Sequence, residues 1–148
     1  FDCYNILKKK YDIDILMFGT DGIPSNIPSG CYLKNPPIKT KNYFYNTIDI
    51  WLATSELEGL HIAPQEAMLT ECCVVGNNSE MSGTQDYLNN LTGLVSENNF
   101  KDFVYTVEYA IQNKDLVKKV SKEGRQKIID LGNRQQNMFK FITLLKEG

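Results

Sequence analysis

The sequence predicts an α/β domain, a Rossmann-like parallel sheet with helices on both faces, followed by a helical final third. Three observations carry that prediction. Short runs at residues 13–18, 48–53 and 72–76 are apolar almost throughout and read as strands buried on both faces of a sheet. Segments with helical apolar spacing separate them, as the crossovers between parallel strands require. Beyond residue 99 the helical spacing recurs in three successive stretches with no strand-like run between them. The 148 residues supply core for one domain and not two, so 1–148 is read as a single domain or part of one. A chain that opens on Phe1 is expected to be cut from something longer.

Taken in order, Phe1, Tyr4, Leu7 and Tyr11 recur near the helical period, and Lys8 to Lys10 fall where cations suit a helix end, which predicts a helix over 1–11. Ile13-Asp14-Ile15-Leu16-Met17-Phe18 reads as a buried strand stopped by the turn formers Gly19-Thr20-Asp21-Gly22. Pro24, Pro28, Pro36 and Pro37 bracket Gly30-Cys31-Tyr32-Leu33-Lys34 and limit any strand there to about five residues. Thr40 is placed to cap a helix of one or two turns running to Tyr45. The strand at 48–53 runs into the polar Thr54-Ser55-Glu56-Leu57-Glu58-Gly59, and open α/β sheets build sites in such loops. Pro64 suits the first turn of a helix continued by Gln65-Glu66-Ala67-Met68-Leu69. Cys72-Cys73-Val74-Val75-Gly76 is the next strand, and a Gly/Ser/Asn-rich loop over 76–83 leads to a short helical stretch at 85–88 and a small strand at 92–96.

Phe100, Phe103, Val104, Val107, Ala110 and Ile111 then mark a helix, with Asn98 or Asn99 as N-cap. Leu116, Val117, Val120, Gly124, Ile128 and Leu131 mark a second, stopped by Gly132, and Asn133 can cap a third carrying Met138, Phe139, Ile142 and Leu145. The basic run Lys118, Lys119, Lys122, Arg125 and Lys127 reads as a solvated helix face. Trp51 and the tyrosines read as core and sheet packing.

Composition removes several function classes. With 16 basic against 18 acidic residues, net charge −2, the chain lacks the basic footprint of a nucleic-acid binder. No apolar run approaches the roughly 18 to 20 residues of a bilayer span, and residues 1–10 form no signal-peptide apolar core. Cys3, Cys31, Cys72 and Cys73 have no C-x-x-C spacing and His61 is far from all of them, so no metal site is expected. Cys72 and Cys73, inside an apolar run, read as buried free thiols. The absence of G-x-G-x-x-G and of a Walker loop argues against a nicotinamide dehydrogenase or a P-loop nucleotidase.

One stretch carries chemistry: Ser55-Glu56-Leu57-Glu58-Gly59-Leu60-His61-Ile62-Ala63-Pro64-Gln65-Glu66-Ala67-Met68. It joins a strand's C-terminal end to a helix N-terminus, where unpaired amides attract phosphate. Glu58 lies in the loop and Glu66 in the helix's opening turns, so one ligand can be gripped at two points. Carboxylates accept paired hydrogen bonds from the vicinal hydroxyls of sugars and riboses, and amides between them suit a diphosphate.

Glu58-Gly59-Leu60-His61-Ile62-Ala63-Pro64-Gln65-Glu66-Ala67-Met68 resembles the signature of family-4 retaining glycosyltransferases, which have the GT-B fold. Tyr45 four residues before Asp49, Ser55 at the strand's end, Cys72-Cys73-Val74-Val75, and Thr92-Gly93-Leu94-Val95 follow the family in order, and the likeness runs from about Ile13 to Leu131. His61 stands where many members have Gly, and Ala63 where many have Pro. The resemblance implies the C-terminal, donor-binding domain of a hexosyltransferase-type enzyme of polysaccharide biosynthesis, inactive in isolation, which would transfer a sugar from a nucleotide-sugar to a glycan, lipid-linked sugar or polysaccharide with retention of configuration. Glu58 would then be the catalytic residue contacting the donor sugar's hydroxyls. Gly59, Leu60, His61 and Ile62 would meet sugar and diphosphate, Glu66 the ribose, and Tyr32 and Asn35 the nucleobase. Helix dipole and basic side chains would stabilise the leaving diphosphate, so no metal or cofactor is called for. The family's first strand of this domain and its basic clamp would precede Phe1. The acceptor domain would be a separate N-terminal partner, the location cytoplasmic, and any contact at the inner membrane face would be made through that missing domain.

Three other readings stay open at this stage. One is a non-catalytic sugar-nucleotide or partner-binding module of the same fold. Another is an epimerase or phosphorylase, against which the spacing of the motif argues. The third is a receiver domain with Asp21 as phospho-acceptor.

Overall fold

The computed structural model describes residues 1–23 and 25–147; Pro24, one of the bracketing prolines, and Gly148 lie outside them. In chain order the elements are α1 (Asp2–Leu7), β1 (Met17–Gly19), β2 (Tyr32–Lys34), α2 (Ile38–Thr47), β3 (Ile50–Ala53), α3 (Ile62–Leu69), β4 (Cys73–Asn77), β5 (Leu94–Ser96), α4 (Phe100–Gln112), α5 (Lys114–Leu131) and α6 (Arg134–Glu147). Single 3₁₀ turns occupy Ser29–Cys31 and Gly83–Asp86. Among the described residues no helix is long and apolar enough to cross a membrane.

Every strand pair is parallel, as the apolar runs predict, and the ladder is in two pieces: β1 beside β2, and β3-β4-β5 in that order. Side chains alternate across β3 and β4 in step with the pleat. Trp51, Ala53 and Val74 join Phe44 and Tyr45 of α2 and Ala67 and Met68 of α3 on one face. On the opposite face Ile50, Leu52, Cys73 and Val75 join Cys3 and Leu7 of α1 and Phe103, Val107 and Ala110 of α4. Met68, Val74 and Val75 are fully buried, each worth about 1.5–3 kcal/mol of apolar burial. Helix α5 serves both clusters, through Ile128 on one and Val120 on the other. It comes so close to the strands that a Cβ on Gly124 would collide with the Thr92 carbonyl and sit 2.9 Å from Met68.

An aromatic cluster ties the two pieces of sheet together. Phe18 of β1 lies 5.7 Å from Trp51 of β3, 5.1 Å from Phe44 and 5.9 Å from Tyr45, ring centroid to centroid. Trp51 and Tyr45 thus pack as expected, whereas Tyr43 and Tyr105 are exposed and take no part in the core. Cys72 and Cys73 are buried free thiols. Burial pushes both upward, Cys73 to about 11, so they pack as small neutral groups.

Several boundaries differ from the sequence-based expectation. Helix α1 ends at Leu7 and not at Tyr11, because the Leu7 carbonyl accepts from both Lys10 and Tyr11 in a closing turn. Lys10 and Tyr11 reach instead to Glu108 on α4, at 3.0 and 2.8 Å. Of residues 13–18 only Met17 and Phe18 enter a strand, since the partner β2 offers just three residues to pair with. Helix α2 begins directly after Pro37, whose extended backbone makes it the N-cap, so Thr40 lies inside the helix. The stretch at 85–88 is a 3₁₀ turn two residues earlier, and the Ser82 side chain caps it.

The N-cap of α4 is Asn99: its Oδ1 accepts from the Asp102 amide at 2.9 Å and its Nδ2 donates to the Asp102 carboxylate at 2.7 Å. Asn133 does cap α6, accepting from the Gln136 amide at 3.1 Å. The basic face of α5 is largely solvated, but Arg125 is engaged, donating to the Leu69 carbonyl at the end of α3 at 3.0 Å.

Candidate functional site

The strand β3 ends at Ala53 and the chain leaves the sheet as an exposed loop that returns into α3. Two attachments give this loop its course. The Ser55 hydroxyl donates to Glu58 Oε1 at 3.0 Å, a local bond across three residues. Glu58 also pairs with Ser82 in an isolated parallel bridge, its amide donating to the Met81 carbonyl at 3.2 Å and its carbonyl accepting from the Gly83 amide at 2.9 Å. The packing there is so close that a Cβ on Gly83 would fall on the Gly59 carbonyl. Glu58 is thus an exposed residue whose backbone is held by residues 81–83 and whose carboxylate is held by Ser55.

Past Glu58, the amides of Gly59, Leu60 and His61 find no hydrogen-bond acceptor among the described residues. At the first position of α3 the Ile62 amide has no intrahelical partner by geometry. No side chain caps this helix. Gln65 Nε2 folds back to the Leu60 carbonyl at 2.6 Å, and the Tyr87 hydroxyl donates to the His61 carbonyl at 3.1 Å, so the carbonyls of this turn are taken and its amides are left. These four amides, without an acceptor among the described residues and beside the positive end of a helix, are donors of the kind that suit an anion.

His61 has a left-handed backbone, φ 44° and ψ 70°, a conformation that costs a side-chain-bearing residue about 1–2 kcal/mol and that glycine adopts freely. The imidazole Nδ1 is buried without a partner among the described residues. Burial lowers the His61 pKa, opposed by the nearby Glu58 carboxylate, so the ring is neutral at neutral pH.

Glu66 stands in the second turn of α3, half-buried, with its Oε2 accepting from the Tyr45 hydroxyl at 2.8 Å. Burial and then this bond push the Tyr45 hydroxyl far above the ordinary phenol value, so it is a permanent donor. Glu66 thus keeps one oxygen engaged and one to offer.

The structure brings Glu58, Gly59, Leu60, His61, Ile62 and Glu66 together around the N-terminus of α3. Tyr32 and Asn35 sit apart on the β1–β2 piece: the Tyr32 hydroxyl donates to the Asp21 carbonyl at 3.2 Å, and Asn35, left-handed at φ 44°, donates from Nδ2 to the Thr20 carbonyl at 3.4 Å. No described hydrogen bond links either to the glutamate loop. Sequence reasoning passed over Tyr45, Ser82, Gly83 and Tyr87 as parts of the site. The Ser55-to-Glu58 bond was legible from its spacing of three, but the others act from 20 or more residues away and leave no local signal. Among the described residues no group of three or more His, Cys, Asp or Glu side chains could hold a metal ion.

A domain of the Francisella tularensis group 1 glycosyl transferase LpcC superposes with TM-score 0.58 at 17% identity, over 67% of this chain and 51% of that one. TarM superposes with TM-score 0.77 at 19% identity, over 96% of this chain and 30% of that one. A glycosyltransferase from Rickettsia africae gives 0.62 at 21%, over 78% and 31%. The chain therefore spans about half of the first of these structures and about a third of the other two, and at such identities the likeness is one of fold. No curated protein is significantly similar in sequence. The family model "Glycosyl transferases group 1" matches residues 32–127, well over half of the chain and all of the glutamate loop with its supports, so the chain belongs to the group 1 glycosyltransferase family.

Proposed function

We propose that this chain is the donor-binding part of a retaining glycosyltransferase, and that the protein containing it transfers a sugar from a nucleotide-sugar to a glycan, lipid-linked sugar or polysaccharide acceptor held by another domain. The observation that carries this reading is the pair of supported carboxylates flanking free amides: Glu58 on its bridged loop, Glu66 on Tyr45, and the α3 N-terminus between them. The amides of Gly59 to Ile62 take the diphosphate, where preorganised donors stabilise the charge that grows as the sugar bond breaks. Glu66 accepts from the ribose hydroxyls with its free oxygen, and Glu58 accepts from hydroxyls of the donor sugar. His61, neutral and beside Glu58, adds an imidazole to the diphosphate side of the turn. Tyr32 and Asn35, on the separate β1–β2 piece, would meet the nucleobase, a role that rests on the family resemblance alone. The acceptor, and any contact at the inner membrane face, belong to the remainder of the protein.

Titration of this chain with UDP, GDP and their sugar conjugates, followed by ligand-observed NMR, tests the reading. Expected affinities are high micromolar to millimolar, on the order of 4 to 6 kcal/mol. Glu66→Ala should weaken every nucleotide, whereas Glu58→Ala should weaken sugar conjugates and spare UDP. Equal affinity in all three chains, or no binding by any nucleotide, would count against it.

A further inference from the structure

Between the C-terminal end of β4 and β5 lies a cavity of about 410 Å³ lined by five carboxamide side chains, Asn77, Asn78, Gln85, Asn89 and Asn90, together with Thr84, Leu88 and Val95. It touches the glutamate loop only indirectly, through the turn Gly83–Asp86, whose start bridges Glu58 and whose Gln85 lines the cavity. Its size falls within the range of small-molecule sites, roughly 300–1,000 Å³.

One half of each carboxamide is committed to the fold. Oδ1 of Asn77, Asn89 and Asn90 accepts from the amides of Ser79, Leu91 and Val95 at 3.0, 2.8 and 3.0 Å. Asn78 Nδ2 donates to the Glu97 carboxylate at 2.7 Å, and Gln85 Nε2 to the carbonyls of Asn78 and Ser79 at 3.1 and 2.7 Å. These bonds set which end of each amide is free. The NH₂ groups of Asn77, Asn89 and Asn90 and the side-chain oxygens of Asn78 and Gln85 have no partner among the described residues. The cavity thus offers oriented donors and acceptors together.

No lining side chain is charged and none is aromatic. A phosphate or carboxylate would meet no cation and two amide oxygens, and a nucleobase would find no ring to stack on. A purely apolar ligand would strand five polar groups. A ligand with many hydroxyls fits, because each hydroxyl both donates and accepts and its ring carbons can rest against Leu88 and Val95. We propose that this cavity is a neutral carbohydrate subsite, sized for about one pyranose unit and separate from the α3 turn. The inference does not depend on the donor reading of that turn.

The test is a titration of the ¹⁵N-labelled chain with methyl α-D-glucopyranoside, methyl α-D-galactopyranoside and methyl N-acetyl-β-D-glucosaminide. The side-chain NH₂ signals of Asn77, Asn89 and Asn90 and the backbone amides of Leu88 and Val95 should shift saturably with at least one of these sugars. Val95→Phe fills the cavity while keeping its backbone bonds and should abolish the shifts. Asn89→Ala, at an exposed position, should weaken binding about threefold, as the loss of one hydrogen bond does. The absence of saturable shifts up to about 50 mM sugar, a limit near 2 kcal/mol of affinity, would overturn the proposal. So would unchanged binding in both variants, shifts confined to residues 58–62, or equal shifts of the same signals with inorganic phosphate or UDP.

Discussion

Tyr45 shows how one hydroxyl can serve both core and site. Its ring belongs to the aromatic cluster of Phe18, Phe44 and Trp51, and its oxygen holds Glu66. Tyr45→Phe keeps the ring and deletes a hydrogen bond to a carboxylate, so unfolding should cost about 1.5–3 kcal/mol less, with nucleotide affinity falling alongside. A denaturant melt and the UDP titration check this together; an unchanged affinity would detach Glu66 from the ligand. His61 gives a pH signature. Its pKa in the fold lies below the ordinary value of 6.5, so the unfolded chain takes the proton first. Stability relative to His61→Asn is therefore level above that value and falls as pH drops through it. Urea midpoints of both chains at pH 8 and pH 5 measure this, and parallel profiles would show that the ring is not desolvated.

The loop between β4 and β5 does for the glutamate loop what a neighbouring strand would do. Residues 81–83 supply two backbone hydrogen bonds to Glu58, and Gly83 is what lets the two segments touch. Gly83→Ala should push the Glu58 segment off this rail and lower the affinity for sugar conjugates at least about tenfold, a loss near 1.4 kcal/mol. Gly22→Ala, where an added Cβ meets nothing within 4 Å, should leave affinity unchanged. If both variants bind as the native chain does, the bridge is not what positions Glu58. The far end of helix α3 has its own supports, since Arg125 and the Thr70 hydroxyl donate to the Leu69 and Ala67 carbonyls.

Across the molecule, packing is unevenly shared. The clusters on the two faces of the sheet draw on α1 to α5, whereas Met138, Phe139, Phe141, Ile142, Leu144 and Leu145 of α6 are all exposed. Deleting residues 133–148 should therefore shift the melting temperature by no more than about 2 °C, since α6 adds no residue to either core cluster. A fall of more than about 5 °C by calorimetry would mean that α6 packs on the domain in solution.

Much of this could be read along the chain because it rests on local chemistry. Short apolar runs bounded by turn formers suit strands covered on both faces, as β3 and β4 are. Asn99, Gly132 and Asn133 mark helix ends because caps and stops act within one turn. The glutamates of the loop stood out for the same reason: strand end, loop and helix start are contiguous in sequence. What contacts between distant residues decide was not visible there. Strand β1 shrank to the length of β2, α1 closed early on its own turn while Lys10 and Tyr11 turned to Glu108, and Tyr32 and Asn35 stayed with Thr20 and Asp21. The supports of the two glutamates, Tyr45 from α2 and Gly83 from beyond β4, belong to the same class. Sequence period reports which face a residue prefers, but the partner that fills the other half of a contact is chosen only when the layers close on one another.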